Sequence, residues 1–369
     1  MNLRWGDYFS TLQFRTFWQE RQSQKDASAC VILGLGFDPR CLAALEELAA
    51  VTPTSDKLGY VALDLKTPVD GLPRSEALEK LHEQNRLRLE RLAGIPCVGR
   101  GDLSLQDADG HPSGGRIALS LVNGLLDAIA SHRDVIVDIS GMPRSVFFPL
   151  ISFLCARTDQ GRIRNLHVAV TEDPLIDAEI RGSEFGDADF LHTFRPQGSK
   201  KMVWLPVVQH GEQERIRKIH NQIRDECIEI CPILPFPAKN LRTADEILIE
   251  LSDTLFEDFL VSPGNLLFCD ERTPFDIYRK VVQLHDYHVE KLGRLVGEVT
   301  SVVSPLASKL LSLGLLLAAI DRHLPVSYVE AGMYEIDADR FYELAARQHD
   351  PLEVWVAGEP YSLSADFSK

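Results

Sequence analysis

The sequence lacks an excess of positive charge. Of its 369 residues, 39 are Lys or Arg and 54 are Asp or Glu, so the formal net charge is −15. A negatively charged chain repels phosphate at long range, which opposes unspecific attachment to nucleic acid or to an anionic membrane. We therefore expect no bulk nucleic-acid binding and no membrane partner.

Disulfide and targeting signals are also missing. The 7 cysteines are an odd number, and Cys227 and Cys231 form a C-x3-C pair without the second pair that a zinc site needs. The first residues contain no apolar core of signal-peptide length. The most apolar stretch, Leu310 to Ile320, is far short of the ~20 residues that span a bilayer. We expect a soluble, cytoplasmic protein with reduced thiols and no metal site.

The common catalytic signatures are absent as well. The sequence has no G-x-S-x-G elbow, no Walker A loop and no recognisable Ser/His/Asp set. His285 and His288 share a helix face, but without a metal-binding signature we expect that face to be solvated. The sequence therefore identifies no cofactor and leaves open whether the protein is an enzyme.

What the sequence does contain is a pattern repeated four times. An apolar run of strand character ends in a small or acidic residue and a proline, and a helical pattern follows. The runs begin at Ala29, Asp134, Asn265 and Thr300. Loops that leave a parallel strand and open a helix bind ligands in doubly wound folds, because their N–H groups and the helix dipole attract anions.

Strands alternate with helices along the whole chain, which predicts an α/β fold of two Rossmann-like blocks with mostly parallel sheets covered by helices. We predict an N-terminal aromatic arm over 1–27, a first domain over 28–206 and a second over 207–369. The loop segments that we predict are Gly99–Gly115 and Thr171–Pro206. The predicted strands are Ala29–Phe37, Gly59–Leu65, Asp134–Ile139, Arg164–Val170, Cys227–Leu234, Asn265–Cys269, Ser301–Val303, Val326–Glu330 and Glu353–Ala357.

The first loop, GLGFDPR over residues 34–40, begins like a dinucleotide fingerprint. Arg40 stands where the third glycine would be, so an NAD or FAD site is not expected. Gly34 and Gly36 suit a tight turn, and Pro39 suits the first helical position. Asp38 beside Arg40 fits either a polar ligand contact or a local cap and ion pair.

The second loop, DISGMPRS over residues 138–145, is the most informative. Asp138 ends an apolar strand, where a carboxylate must be paired or hydrogen-bonded. Ser140, Gly141 and Ser145 offer hydroxyl groups and open backbone to a phosphate. Two interpretations stand side by side: a ligand site, or an Asp138 that bonds the N–H groups of its own loop.

At these residues the chain resembles the CARF superfamily of prokaryotic immunity, Rossmann-like sensors of cyclic oligonucleotides. Asp138, Ser140 and Gly141 match its Asp-x-Ser/Thr-Gly-Gly-x-Lys loop, with Arg144 in place of the lysine and Met142 in place of the second glycine. Gly34 and Gly36 match its first glycine-bearing loop. The resemblance covers the first block. It implies a ligand sensor in a bacterial anti-phage defence system.

The third and fourth loops are less informative. Lys309 opens an apolar helix after Ser304, where a cation is electrostatically unfavourable unless an anion lies nearby. Asp270 and Glu271 are adjacent carboxylates at the end of a predicted strand.

We therefore expect a sensor or regulatory protein that binds a nucleotide-type or phosphorylated small molecule, forms homo-oligomers and acts with protein partners of a defence operon. The predicted ligand-binding residues are Gly34, Gly36, Asp38, Arg40, Asp138, Ser140, Gly141, Arg144, Ser145, Ser304 and Lys309. One alternative is a hydrolase-type enzyme on nucleotides or nucleic acid that uses Asp138, Asp64 or Asp270. The other is a scaffold subunit that docks a partner through its N-terminal aromatic residues.

Overall fold

The structure, a computed structural model, describes residues 3–6, 8–11, 13–66, 75–106, 113–198, 200–347 and 349–362. The chain divides into two compact units. One contains the stretch Phe185–Glu330 and the described residues before Tyr8, and the other contains Tyr8–Glu184 and the described residues from Ala331 onward. We call them the internal unit and the outer unit.

The strands of the described chain are β1 (Phe9–Thr11), β2 (Ala29–Leu35), β3 (Leu58–Lys66), β4 (Cys97–Ser104), β5 (Asp134–Asp138), β6 (Asn165–Val170), β7 (Arg181–Phe185), β8 (Asp189–Phe190), β9 (Lys201–Val207), β10 (Cys227–Ile230), β11 (Ile233–Pro235), β12 (Leu267–Cys269), β13 (Val299–Pro305), β14 (Ser327–Tyr328), β15 (Ala331–Glu335) and β16 (Leu352–Ala357).

The helices are α1 (Phe14–Gln22), α2 (Ala43–Val51), α3 (Glu76–Arg91), α4 (Gly114–Gly124), α5 (Leu126–Ala130), α6 (Arg144–Asp159), α7 (Pro174–Glu179), α8 (Gln213–Ile223), α9 (Thr243–Ser252), α10 (Pro274–Lys291), α11 (Gly293–Val296), α12 (Lys309–Arg322), α13 (Ala338–Ala345) and α14 (Glu359–Ser362). None of the described helices is both long and apolar enough to cross a membrane.

The outer unit contains a sheet whose described strands lie in the order β1-β16-β6-β5-β2-β3-β4. The five strands from β6 to β4 are parallel; β16 pairs antiparallel with β6, and β1 pairs antiparallel with β16. In chain order the parallel strands read 3-2-1-4-5, which is the order of the Rossmann fold. The order reverses between β2 and β5, and this is the switch point of the sheet.

The sequence of β2 explains its central place. Every residue of this apolar strand is buried, as expected for a parallel strand that is covered on both faces. One face of β2 carries Val31 and Leu33, which pack in a core cluster with residues of α1 and α2. On the other face, Gly34 approaches Met142 in the segment that leads to α6.

The internal unit has a second parallel sheet of the same kind. The strand β13 pairs along the whole of β9, while β10 and β11 pair with successive parts of β9 and β12 follows β11. A parallel bridge from Val303 to Val326 continues the sheet beyond β13. The chain order is again that of a Rossmann fold, so the predicted pair of Rossmann-like blocks is present.

The observed bounds of the units differ from the predicted boundary at 206/207. All but the last residue of β9 precedes that boundary although β9 forms the second sheet, and β16 near the C-terminus pairs with β6 of the first sheet. The predicted loop Gly99–Gly115 contains most of β4 and the start of α4, and residues 107–112 lie outside the described part. The predicted loop Thr171–Pro206 contains α7, β7, β8 and most of β9.

The predicted N-terminal arm is not a separate layer. Trp5 is fully buried in the internal unit, where its ring meets that of Tyr278 at 5.4 Å. Phe14 and Trp18 are buried in the core of the outer unit. These three aromatic side chains are therefore covered by the chain itself, whereas Tyr8 and Phe9 are exposed, and the scaffold alternative stays a prediction.

Candidate functional site

The two loops that the sequence singles out leave neighbouring strands. Leu33 of β2 lies beside Asp138 of β5 in the parallel register, so the loops that follow begin at the same edge of the sheet. This edge is the switch point, where ligands bind in open α/β sheets. We call it the switch-point site.

The second loop is held by its own polar groups. The Ser140 backbone N–H donates to Asp138 Oδ1 at 2.9 Å, and the Ser140 hydroxyl accepts a hydrogen bond from the Thr171 N–H at 2.9 Å. Asp138 is 1% exposed. Asp138 therefore accepts a hydrogen bond from an N–H group of its own loop, as the local interpretation predicts. Ser140 ties the loop to the residue that follows β6.

The glycines of the two loops let the loops touch each other. A methyl group on Gly141 would lie 2.6 Å from the Cys41 Cβ and 2.6 Å from the Gly34 carbonyl oxygen. A methyl group on Gly34 would lie 2.7 Å from Cγ of Met142, which is 1% exposed. Met142 thus fills space that a second glycine would leave open. These glycines serve close packing between the loops.

Arg40 is buried in a cluster of two carboxylates. Its Nε and Nη2 donate to the two oxygens of Asp38 at 3.0 and 2.8 Å, and Nη2 also lies 2.8 Å from Asp177 Oδ1. Burial opposes the charge, but the two carboxylates outweigh it and raise the pKa of Arg40 above its ordinary value. Asp38 also accepts from the Arg40 N–H at 3.0 Å, which caps the 3-10 turn Pro39–Leu42.

The first loop is anchored by α3, which sequence reasoning did not connect to the site. Asn85 is 3% exposed and donates from Nδ2 to the carbonyl oxygens of Gly36 at 2.8 Å and Asp38 at 3.0 Å. Arg88 donates to the Pro39 carbonyl oxygen at 2.8 Å. The sequence signal that could have indicated this anchor is Asn85 itself, an uncharged polar residue on the leucine-bearing face of a charged helix, where a buried amide needs hydrogen-bond partners.

Arg144 and Ser145 begin the helix α6. Pro143 precedes them in an extended conformation, and its carbonyl oxygen accepts from the N–H groups of Val146 and Phe147, both at 3.1 Å. Arg144 is half-buried. Ser145 is 4% exposed, and among the described residues its hydroxyl has no hydrogen-bond partner. The first turn of a 16-residue helix thus presents a cation and a buried hydroxyl.

The residues beyond β6 complete the edge. Thr171 is buried, and its hydroxyl finds no hydrogen-bond partner in the described chain. The side chain of His349 is 7% exposed, and its Nδ1 lies 3.7 Å from Asp173 Oδ2. Burial lowers the pKa of His349, and the charges of Arg40 and Asp38 act on it as well. Neither residue was predicted, because their place at this edge depends on contacts between distant parts of the chain.

Ser304 and Lys309 belong to the internal unit, at the end of its strand β13. The Ser304 hydroxyl accepts from Trp204 Nε1 at 2.9 Å, and Lys309 is the first residue of α12 after the capping residue Ser308. The other predicted ligand-binding residues all lie in the outer unit.

The carboxylates of the enzyme alternative other than Asp138 have basic partners. Arg272 donates to both oxygens of Asp270 at 2.9 and 2.7 Å and thereby lowers the pKa of that carboxyl. Asp64 lies 2.9 Å from Nε2 of His82 and 2.7 Å from Nη2 of Arg100. In both cases a neighbouring group already compensates the negative charge.

The described residues contain no group of three side chains that could hold a metal ion. The expectation that the His285 and His288 face is solvated is wrong. His288 is 5% exposed, and His285 Nδ1 is 3.1 Å from the hydroxyl of Ser301 on β13. This face of α10 packs against its own sheet.

No family model matches the chain, and no curated protein matches it. Among solved structures it is similar to a deacetylase–bog complex in the biosynthesis pathway of teicoplanin, at 11% identity over 44% of this chain and 77% of that chain, with a TM-score of 0.26. It is also similar to a putative universal stress protein from Pseudomonas aeruginosa UCBPP-PA14, at 11% identity over 89% and 100%, with a TM-score of 0.24. At such scores neither likeness carries weight, and the fold is defined by the strand order.

Proposed function

We propose that the protein binds a nucleotide-type or phosphorylated small molecule at the switch-point site and acts as a sensor or regulatory protein of a bacterial anti-phage defence system. The observation that carries this proposal is the pairing of β2 with β5. It brings together, at the point where the strand order reverses, the two loops that the sequence singles out.

The main anion-binding group of this proposal is the start of α6. The helix dipole places partial positive charge there, and Arg144 adds a full charge within the first turn. The buried hydroxyls of Ser145 and Thr171 can each donate a hydrogen bond to a phosphate oxygen. A phosphate is the group that uses all of these together.

The glycines have a different role from the predicted one. Gly34 and Gly141 hold the loops in contact, so the ligand is bound by side chains and by the helix terminus rather than by a glycine cradle. Asp138 remains the candidate for a ribose hydroxyl or for loop orientation. The defence context of the proposal comes from the resemblance to the CARF superfamily, from which Met142 departs.

Native mass spectrometry of the purified protein tests the proposal first, by searching for a co-purifying nucleotide. Titration calorimetry with the nucleotide found then compares the wild type with Arg144→Lys and Arg144→Glu. We expect Arg144→Lys to weaken binding and Arg144→Glu to abolish it, because the reversal places like charges together.

The matched control is Arg162→Glu, an equal charge change at an exposed residue before β6, at the opposite edge of the sheet. It should bind like the wild type. Unchanged affinity in a folded Arg144→Glu protein would refute the proposal. Turnover of the bound nucleotide that is lost in Asp138→Asn, with binding retained, would support the enzyme alternative instead.

A further inference from the structure

The guanidinium of Arg40 has one edge that is poorly used. Its Nε and Nη2 edge is filled by the two oxygens of Asp38. The Nη1 and Nη2 edge receives a single oxygen of Asp177 at 2.8 Å and the Thr171 carbonyl oxygen at a long 3.5 Å. A planar guanidinium binds carboxylates and phosphates best through two parallel bonds, so this second edge is only half satisfied.

The two carboxylates around Arg40 are also unequal in burial. The side chain of Asp38 is 9% exposed and comes from the same loop as Arg40, whereas that of Asp177 is 37% exposed and comes from α7. Asp177 is therefore the partner on the solvent side. Of the two carboxylates, Asp177 is the one that a dissolved anion can replace more easily.

The helix α7 is held by a small hydrophobic cluster. Ile176 of α7 packs with Leu81 and Phe341, separately from the larger core cluster that contains β2. Phe37 of the first loop joins it, with its ring 6.4 Å from that of Phe341. A satellite cluster of this size is a segment that opens at lower free energy than the core.

We propose that Asp177 is an intramolecular occupant of an anion-binding edge of Arg40, and that a phosphate-type ligand displaces Asp177 and releases α7. The inference rests on the proposed function and adds its regulation. In the structure the Asp177 carboxylate ties α7 to Arg40 at the switch-point site. A bound phosphate takes both Nη1 and Nη2, and α7 loses its ion pair with Arg40 while it keeps the hydrophobic cluster and the Arg340–Glu179 pair at 2.8 Å.

His349 supports a second contact to the same ligand. Its side chain is more than nine-tenths buried, its Nε2 has no hydrogen-bond partner among the described residues, and it lies within electrostatic reach of Arg40. A neutral imidazole with an unused ring nitrogen donates or accepts one further hydrogen bond. A phosphate oxygen at the Nη1 edge provides that partner.

The test compares the wild type with Asp177→Asn, using pyrophosphate as the probe. Titration calorimetry measures affinity, and amide hydrogen exchange measures protection of residues 174–179 with and without pyrophosphate. Glu343→Gln is the matched control, because it removes the same charge at an exposed position of α13. We expect Asp177→Asn to bind about ten-fold more tightly, within the usual range of coupling between sites, and Glu343→Gln to bind like the wild type.

Hydrogen exchange separates displacement from a general charge effect. Pyrophosphate should speed exchange in residues 174–179 of the wild type, while Asp177→Asn should exchange fast in those residues without it. Equal affinity in Asp177→Asn and Glu343→Gln, or no change in wild-type exchange on adding pyrophosphate, would overturn the inference.

The inference and the proposed function fail in different ways. Binding that depends on Arg144 but not on Asp177 leaves the proposed function standing and refutes the displacement. The opposite outcome has three parts: pyrophosphate binds more tightly to Asp177→Asn, Arg144→Glu does not change the affinity, and no nucleotide co-purifies. That outcome keeps the Arg40 edge as an anion site and refutes the nucleotide function.

Discussion

Arg40 donates two parallel hydrogen bonds to the carboxylate of Asp38, which stands only two residues before it in the chain. The pair is buried, so the loop after β2 carries its own internal ion pair. The structure thus supports the local ion pair, one of the two interpretations left open by the sequence for these residues.

Replacing Arg40 should destabilise the protein. Arg40→Ala removes the guanidinium that pairs with the buried carboxylate of Asp38, and breaking a buried pair from one side typically costs about 3–5 kcal/mol. Urea unfolding followed by tryptophan fluorescence measures the change. Arg86→Ala, which removes an exposed pair with Glu83, is the control and should leave the unfolding curve unchanged. An Arg40→Ala protein as stable as this control would contradict the assigned role.

Gly141→Ala should force the two loops apart. The added methyl group would lie 2.6 Å from the Cys41 Cβ and from the Gly34 carbonyl oxygen, neither of which is the flexible end of a side chain. We expect a loss of about 1–3 kcal/mol in unfolding free energy, as for other overpacked sites. Gly124→Ala is the control, since a methyl group there meets nothing within 4 Å. Equal stability of the two variants would argue against close loop packing.

Trp18→Ala should destabilise the outer unit. Trp18 is fully buried, and its Nε1 donates to Glu353 Oε2 at 3.0 Å. Removing a buried aromatic ring typically costs about 3–5 kcal/mol, which urea unfolding measures. Leu87→Ala, at a residue that is 44% exposed on α3, should change stability by less than about 1 kcal/mol. A Trp18→Ala protein with wild-type stability would support the idea of a docking arm.

Stability should fall with rising pH through His167. Its Nδ1 lies 2.5 Å from Glu353 Oε1 and its Nε2 3.4 Å from Asp134 Oδ1. Burial opposes the charged ring, but both carboxylates raise the pKa of His167 above its ordinary 6.5. A base whose pKa is higher in the folded than in the unfolded protein stabilises the folded state. This stabilisation is complete below the pKa of the unfolded state and is lost as the pH rises through the pKa of the folded state.

Urea unfolding from pH 6 to pH 9 checks this. The wild type should lose stability across the range, while His167→Gln should be less stable throughout and flatter with pH. Burial lowers the pKa of His285 to about 4, so the effect of that residue lies on the acid side, between about pH 6.5 and pH 4. Parallel pH profiles of the wild type and His167→Gln would contradict the prediction.

The sequence predicts most strands that consist of an unbroken apolar run. The run that begins at Ala29 forms β2, and the run from Asp134 forms β5, because burial on both faces demands such residues. The strand β4 was missed because CVGRGDLS, its sequence, is rich in glycine and charge, as an edge strand permits. The sequence cannot reveal that β16 joins the first sheet, since pairing is decided by tertiary contacts.

The sequence predicts the two loops at the ends of β2 and β5 but not the contacts that they make. The loops and Arg144 follow from local pattern, because strand, turn and helix start are local events. Asp177 and Thr171 reach Arg40 across more than a hundred residues of chain, and no spacing rule foretells such contacts. For this reason the sequence could not show that Arg40, predicted as a ligand-binding residue, is paired with Asp177 as well as with Asp38.

The late position of β16 has a consequence for how the protein is made. This strand lies between β1 and β6, yet it follows the whole internal unit in the chain. On the ribosome, the internal unit has all of its described strands before residue 331 is added, whereas the sheet that begins near the N-terminus waits for residue 357. During synthesis the sheet of the internal unit therefore has all of its described strands first, and the sheet whose first strand is made earliest, at β1, is completed last.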